Sequence, residues 1–146
     1  MDMTDVAYDR RALLRLGIGG IAGVLLPLSA RAEGGADPVL DDPKLRFINV
    51  PPLLLPGRER FAFTRIVLQL VVRRTEKLPI ESALVRDYMP RIVGLLTEQL
   101  PEDEHLTRTA GPDDLKAVKR YVRDLANNII GQPVIEDVLI VSFLTG

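Results

Sequence analysis

The chain has 146 residues and a formal net charge of −1, from 19 Lys+Arg against 20 Asp+Glu, with one histidine and no cysteine. Without thiols there can be no disulfide, zinc ribbon or iron–sulfur cluster, and a single histidine leaves little for a multi-His metal site or a Ser-His-Asp triad. The charge balance gives no reason to expect nucleic-acid binding, and 5% aromatics without tryptophan leaves little for a sugar-stacking groove, whereas 47% hydrophobic residues suffice for a core.

Residues 1–32 read as a targeting segment. Arg10 and Arg11 precede Ala12, Leu13, Leu14 and Arg15, and Leu16 to Ala30 is a charge-free stretch diluted by Gly17, Gly19, Gly20 and Gly23. Ser29-Ala30-Arg31-Ala32 closes it, with Ala30 and Ala32 at the two small-residue positions of a cleavage site. A basic part, an apolar part and a small-x-small end in that order make an export signal, with cleavage expected after Ala32. The arginine pair followed by two leucines and a basic residue resembles the twin-arginine export consensus. A weakly apolar centre and Arg31 beside the cleavage point suit that route better than the general secretory one. A general secretory signal or a short membrane anchor are the competing readings. A spanning helix takes about 20 apolar residues, and the run here is shorter, with Pro27 near its end. The glycines from Gly17 to Gly23 mimic a phosphate-binding loop but lack a preceding strand. The expected location of the remainder is the periplasm, at or near a bacterial inner membrane, with the export translocon as a transient partner.

Residues 33–44 read as a flexible lead, from Glu33-Gly34-Gly35 to Asp41-Asp42-Pro43, and residues 45–146 as the folded domain. Phe47-Ile48-Asn49-Val50 is a short strand ended by Pro51-Pro52, and Leu53-Leu54-Leu55 continues extended into a turn. Phe61 to Arg74 reads as the main strand. Ala62, Thr64, Ile66, Leu68, Leu70 and Val72 alternate onto one nearly apolar face, which should meet the core. Leu78-Pro79 opens a helix carrying Leu84, Tyr88, Ile92, Leu95 and Leu96 at helical spacing, and Pro90 in its middle should kink or split it. A loop at Pro101–His105 leads to a second helix start at Gly111-Pro112-Asp113-Asp114, where carboxylates suit the positive end of the dipole. Its stripe is Leu115, Val118, Val122, Leu125 and Ile129, and Gly131 stops it. Val134 to Leu144 is a closing strand, read as buried on both faces toward its end. The order gives an α+β fold: a small, mostly antiparallel sheet with two long helices packed on one face.

Candidate chemistry is sparse. His105 stands beside Glu102, Asp103 and Glu104, which reads first as a solvated loop and second as a ligand set. Asp113-Asp114 reads as a helix start rather than a cation site. Arg73-Arg74 is a solvated strand end or an anion patch. Arg86-Asp87 and Lys119-Arg120 with Arg123-Asp124 are charged helix faces suited to solubility or partner contacts. Ser82 and Ser142 have no base arranged beside them, so no catalytic residue, cofactor or metal is assigned and no enzymatic activity is expected.

The stretch from Phe47 to Phe143 resembles the periplasmic domain of the flagellar basal-body-associated FliL family. The resemblance rests on the Asn-containing strand Phe47–Val50, the long apolar strand from Phe61, and Pro90-Arg91-Ile92 with Leu95-Leu96. It continues through Leu106-Thr107, Gly111 with Leu115, Asn127 or Asn128, and the closing Val134, Val138 and Phe143. It implies a stomatin-like fold, side-by-side self-association, and a non-enzymatic role supporting or regulating the torque-generating stator at the basal body. Phe47, Ile48, Asn49 and Val50 then form a candidate interaction edge. An exported domain of the same kind with a non-flagellar partner is the alternative, and a small periplasmic enzyme or ligand binder is the reading from another class. No nucleic acid and no small-molecule substrate is expected.

Overall fold

The structure is a computed structural model and describes residues 40–146. The segment read as an export signal, with Arg10, Arg11, Leu13, Leu14, Ala30 and Ala32, lies outside the described residues.

Folding begins earlier than the lead 33–44 suggests. Asp42 caps a single helical turn, α1 (Pro43–Arg46), its Oδ1 accepting the Lys44 N–H at 2.9 Å while Pro43 fills the first position. An Asp-Pro pair is a strong helix start because the side chain satisfies one orphan N–H and the proline has none to lose. Three strands follow: β1 (Phe47–Asn49), β2 (Leu53–Pro56) and β3 (Phe63–Val72). Then come α2 (Leu78–Gln99), a 3₁₀ turn (Leu100–Glu102), α3 (Pro112–Ile130) and β4 (Ile135–Thr145).

The sheet is antiparallel throughout and β3 is its centre. One flank of β3 carries β4, from Thr64↔Thr145 to Val72↔Ile135. The other flank is shared end to end: β2 pairs with Phe63–Ile66 and β1 with Gln69–Val71. Pro51 and Pro52 fall at the junction and have no N–H for the ladder, so one strand becomes two. Val50 still donates to the Leu68 carbonyl at 3.0 Å before the break.

Along β3 the sequence alternation holds. Thr64, Ile66, Leu68, Leu70 and Val72 are buried beneath the helices. The strand starts at Phe63 rather than Phe61 because the preceding turn closes on itself. Gly57 N–H donates to the Ala62 carbonyl at 2.8 Å, Ala62 N–H donates to Glu59, and Phe61 sits at φ 71°. In that conformation Phe61 cannot join the ladder.

The closing strand differs most from expectation. It is well buried only near its start, at Ile135 and Val138, and Val141, Ser142 and Leu144 are exposed. Both long helices cover the same face, and neither covers the other side at the end of β4. Register shifts between Val67 and Leu68 and between Val71 and Val72 leave Val141 and Glu136 as extra residues in β4. Each such bulge advances the pleat by one, so the positions paired with the core row of β3 are 135, 138, 140, 143 and 145 rather than every second residue.

The helix α2 runs unbroken through Pro90, which is exposed. The ring cannot donate to the Arg86 carbonyl, but an acceptor on the exposed side of a helix can be solvated, so the helix need not be split. On α2, Leu78, Val85, Ile92 and Leu96 are buried, and on α3 Val118, Val122, Ala126 and Ile130. Gly131 at φ 80° ends α3 in the left-handed region that glycine enters without cost. Four residues back, Asn127 clamps α3 to the start of β4. Its Oδ1 accepts the Ile135 N–H at 2.8 Å and its Nδ2 donates to the Ile135 carbonyl at 3.0 Å, imitating a strand pair. Ile135 is buried, so Asn127→Ala is expected to cost about 2 kcal/mol in chemical denaturation, whereas Asn128→Ala, whose amide makes no such clamp, is expected to be near neutral.

Candidate functional site

The candidate edge Phe47–Val50 lies where an interaction edge requires, on the outer flank of the sheet, but its side chains are largely engaged. Ile48 and Val50 are core residues, and Asn49 Oδ1 accepts from Gln69 Nε2 at 2.9 Å. Phe47 is half-buried, with the Arg46 guanidinium 5.7 Å from its ring centroid, and Arg46 in turn pairs with Glu136. What β1 offers outward is backbone. Beside it lies an open hollow lined by Pro43, Lys44, Phe47, Asn49, Arg86 and Met89. The Arg86 guanidinium is drawn inward there, donating to the Lys44 carbonyl at 2.6 Å.

His105 is not a free loop residue. Its Nδ1 lies 3.1 Å from Asp114 Oδ1, its own N–H donates to Asp103 Oδ1 at 2.8 Å, and the second Asp114 oxygen accepts the Gly111 N–H at 2.9 Å. Asp114 therefore caps α3 and fastens the preceding loop at once, which explains an acidic residue at that position better than a cation site does. Among the described residues no group of three or more potential ligands converges on a metal position. The hydrogen bond to Asp114 raises the His105 pKa above its ordinary value, helped by the negative charges of Asp103 and Glu104 and opposed by partial desolvation. Asp114 is lowered, first by the Gly111 N–H and then by His105. Since His105 is protonated more readily when folded, its contribution is complete below the unfolded pKa and is lost as pH rises through the raised folded value. One histidine gives one imidazole resonance, so an NMR titration is expected to show a midpoint above the ordinary histidine value that falls in Asp114→Asn.

The two arginines at the end of β3 each have a carboxylate of their own, so they form no anion patch; Arg74 is an exposed strand end, whereas Arg73 is not. Arg73 Nε donates to both oxygens of Glu81 at 3.0 and 3.2 Å, and Thr75 Oγ1 donates to the same carboxylate at 3.0 Å. Arg74 pairs with Asp41 at 2.8 Å. Glu81 is almost fully buried, and its pKa is held below the usual carboxylate range by the Arg73 and Thr75 hydrogen bonds, which outweigh its desolvation. Next to it, Ser82 is fully buried with no hydrogen-bond partner for its hydroxyl. The histidine is committed to Asp114 at the start of α3, so Ser82 has no imidazole beside it. On the outer face of α3, Lys116, Lys119 and Arg123 pair with Asp113, Asp137 and Asp124. These pairs leave that face close to neutral and fit a solubility role.

Two features were not legible in the residue pattern. The first is the outer flank of β4, where Val138 to Thr145 carry no charge and Val141 and Leu144 are exposed. Edge strands are ordinarily guarded by charge, and that uncharged run was the available signal. The second is the turn between β2 and β3, where Phe61 projects into solvent rather than entering the strand. No family model matches the chain, and no curated protein matches it.

Proposed function

We propose that residues 40–146 form a non-catalytic docking domain that pairs its sheet edges with copies of itself and with partner segments, on the periplasmic side of a bacterial inner membrane. The observation that carries this reading is the pairing pattern of the sheet. Among the described residues only β3 is paired on both flanks, so β1–β2 and β4 each keep an outward row of unpaired backbone groups. Two unlike edges join head to tail, and such a contact closes into a ring when the rotation between copies allows it. Pro51, Pro52 and Pro56 interrupt one edge and two bulges bend the other, which favours specific pairing over open-ended growth.

The FliL-like pattern supports placing this domain at the flagellar basal body, where a stomatin-like ring would support or regulate the stator. The chain has no cysteine, so Asn49→Cys and Ser142→Cys introduce unique thiols on the two edges. The double variant is expected to crosslink into a ladder of multimers in the periplasm while each single variant does not, and deletion of the gene is expected to impair swimming. A double variant that stays monomeric would overturn self-association through these edges. Normal swimming, with a mature chain beginning after Ala32, would move the domain to a non-flagellar partner.

A further inference from the structure

The end of the sheet where β3 begins carries a combination found nowhere else in the described residues. Arg58 and Arg108 line a hollow of about 270 Å³ there, together with Phe63, Thr109 and Thr145, and Glu59 is the acidic side chain in its wall. Arg60 lies on the same turn, and Arg65 pairs across the sheet with Leu54 on one side and Leu144 on the other. Among the described residues Arg58, Arg60, Arg65 and Arg108 make no ion pair, in contrast to Arg46, Arg73, Arg74 and Arg123. Interleaved with these free cations are the exposed apolar side chains Phe61 at 88%, Leu54 at 64%, Leu144 at 55% and Phe63 at 39%.

The turn holds Phe61 outward at a cost. A bulky side chain at φ 71° is a strained outlier. The turn is tight, since a Cβ at Gly57 would meet Ala62 Cβ at 2.6 Å. The Arg60 guanidinium lies 5.1 Å from the Phe61 ring centroid, so the aromatic and a cation are presented together. Core packing explains none of this.

We propose that this end of the domain is a contact surface for an anionic lipid bilayer, with Phe61 and its apolar neighbours entering the headgroup–acyl boundary and the four arginines meeting lipid phosphates. Charge complementarity names the partner: four cations without an ion pair among the described residues outnumber the Glu59 side chain and the Gly146 carboxylate and call for a negative surface, attracted over a Debye length. Bilayer rather than acidic protein is favoured because the most exposed aromatic stands on a projecting turn. Arginine stems also accompany apolar insertion while their heads stay at phosphate level. The surface lies at the strand ends and stands whether or not the sheet edges pair.

The chain has no tryptophan, so Phe61→Trp in the full chain is a unique reporter of this turn. Added phosphatidylglycerol–phosphatidylcholine vesicles are expected to shift its emission to shorter wavelength and to quench it when the acyl chains are brominated, with no change from pure phosphatidylcholine. Adding Arg58→Gln and Arg60→Gln is expected to raise the lipid concentration for half of that change roughly thirtyfold, from about 1 kcal/mol per basic residue. Ile80→Trp, at a site 72% exposed on α2, is expected to keep a water-like emission under the same conditions. That control separates insertion of the turn from general proximity caused by residues 1–32. Unchanged Phe61→Trp emission with anionic vesicles that sediment the chain would overturn the proposal. An equal change with pure phosphatidylcholine would overturn it too, as would a change produced only by a polyglutamate peptide, which would make this a protein-docking surface.

Discussion

Substituting Arg73→Leu is expected to destabilise the domain strongly and to reverse the way its stability responds to acid. Stripping the nearly fully buried Glu81 carboxylate of its paired cation is expected to cost about 3 kcal/mol at neutral pH, because Thr75 would be its one remaining side-chain hydrogen bond among the described residues, with Lys77 acting only at a distance. In the wild type Glu81 has a folded pKa below its unfolded value. Its contribution is therefore present above the unfolded value and is lost as pH falls through the lowered folded one. Without Arg73 desolvation becomes the largest remaining influence, set against Thr75 and the charge of Lys77, so the folded pKa is expected to rise above the unfolded one and acid to favour the folded state at this site instead. Urea denaturation at neutral pH and in mild acid is expected to show the gap between wild type and variant closing on acidification. Adding Glu81→Leu to Arg73→Leu is expected to recover much of the loss, since an apolar pair replaces the orphaned charge. A gap of constant size across that range would show that Arg73 acts through its aliphatic stem instead.

Pro90→Ala is expected to have the opposite sign. A proline inside a helix removes one backbone hydrogen bond and carries the lowest helix propensity, so alanine at this exposed position is expected to add about 2 kcal/mol. The expected signature is a higher denaturant midpoint with an unchanged slope. Destabilisation would mean that the present course of α2, and the seating of Ile92 and Leu96 beyond the proline, depends on a bend that only the ring imposes.

The fold class and the core face of β3 were readable because a strand carrying Thr64, Ile66, Leu68, Leu70 and Val72 in strict alternation admits one orientation. Both helix starts and the Gly131 stop were readable because proline, acidic first turns and glycine act through local backbone chemistry. The features that escaped depend on what lies across space. Arg73 and Glu81 look like ordinary solvated charges until the turn between β3 and α2 folds one onto the other. Val141 and Leu144 look like core until both helices are seen to cover a single face. The break between β1 and β2 is written in Pro51-Pro52, yet only the paired partner strand shows that both halves lie along one flank. Phe47 to Val50 reads as an edge from Pro51-Pro52, but that Ile48 and Val50 point into the core shows only once β1 is paired with β3.

The two supernumerary residues of β4 set how this chain can drift in length. Losing or gaining a residue inside a strand ordinarily turns every following side chain inside out. At Glu136 and Val141 a spare position already exists, so relatives differing by one residue there could keep Val138 inward by gaining or shedding a kink. Aligning such sequences on a period of two would misplace Phe143 and Leu144, and the anchor for comparison should instead be the Asn127–Ile135 clamp upstream.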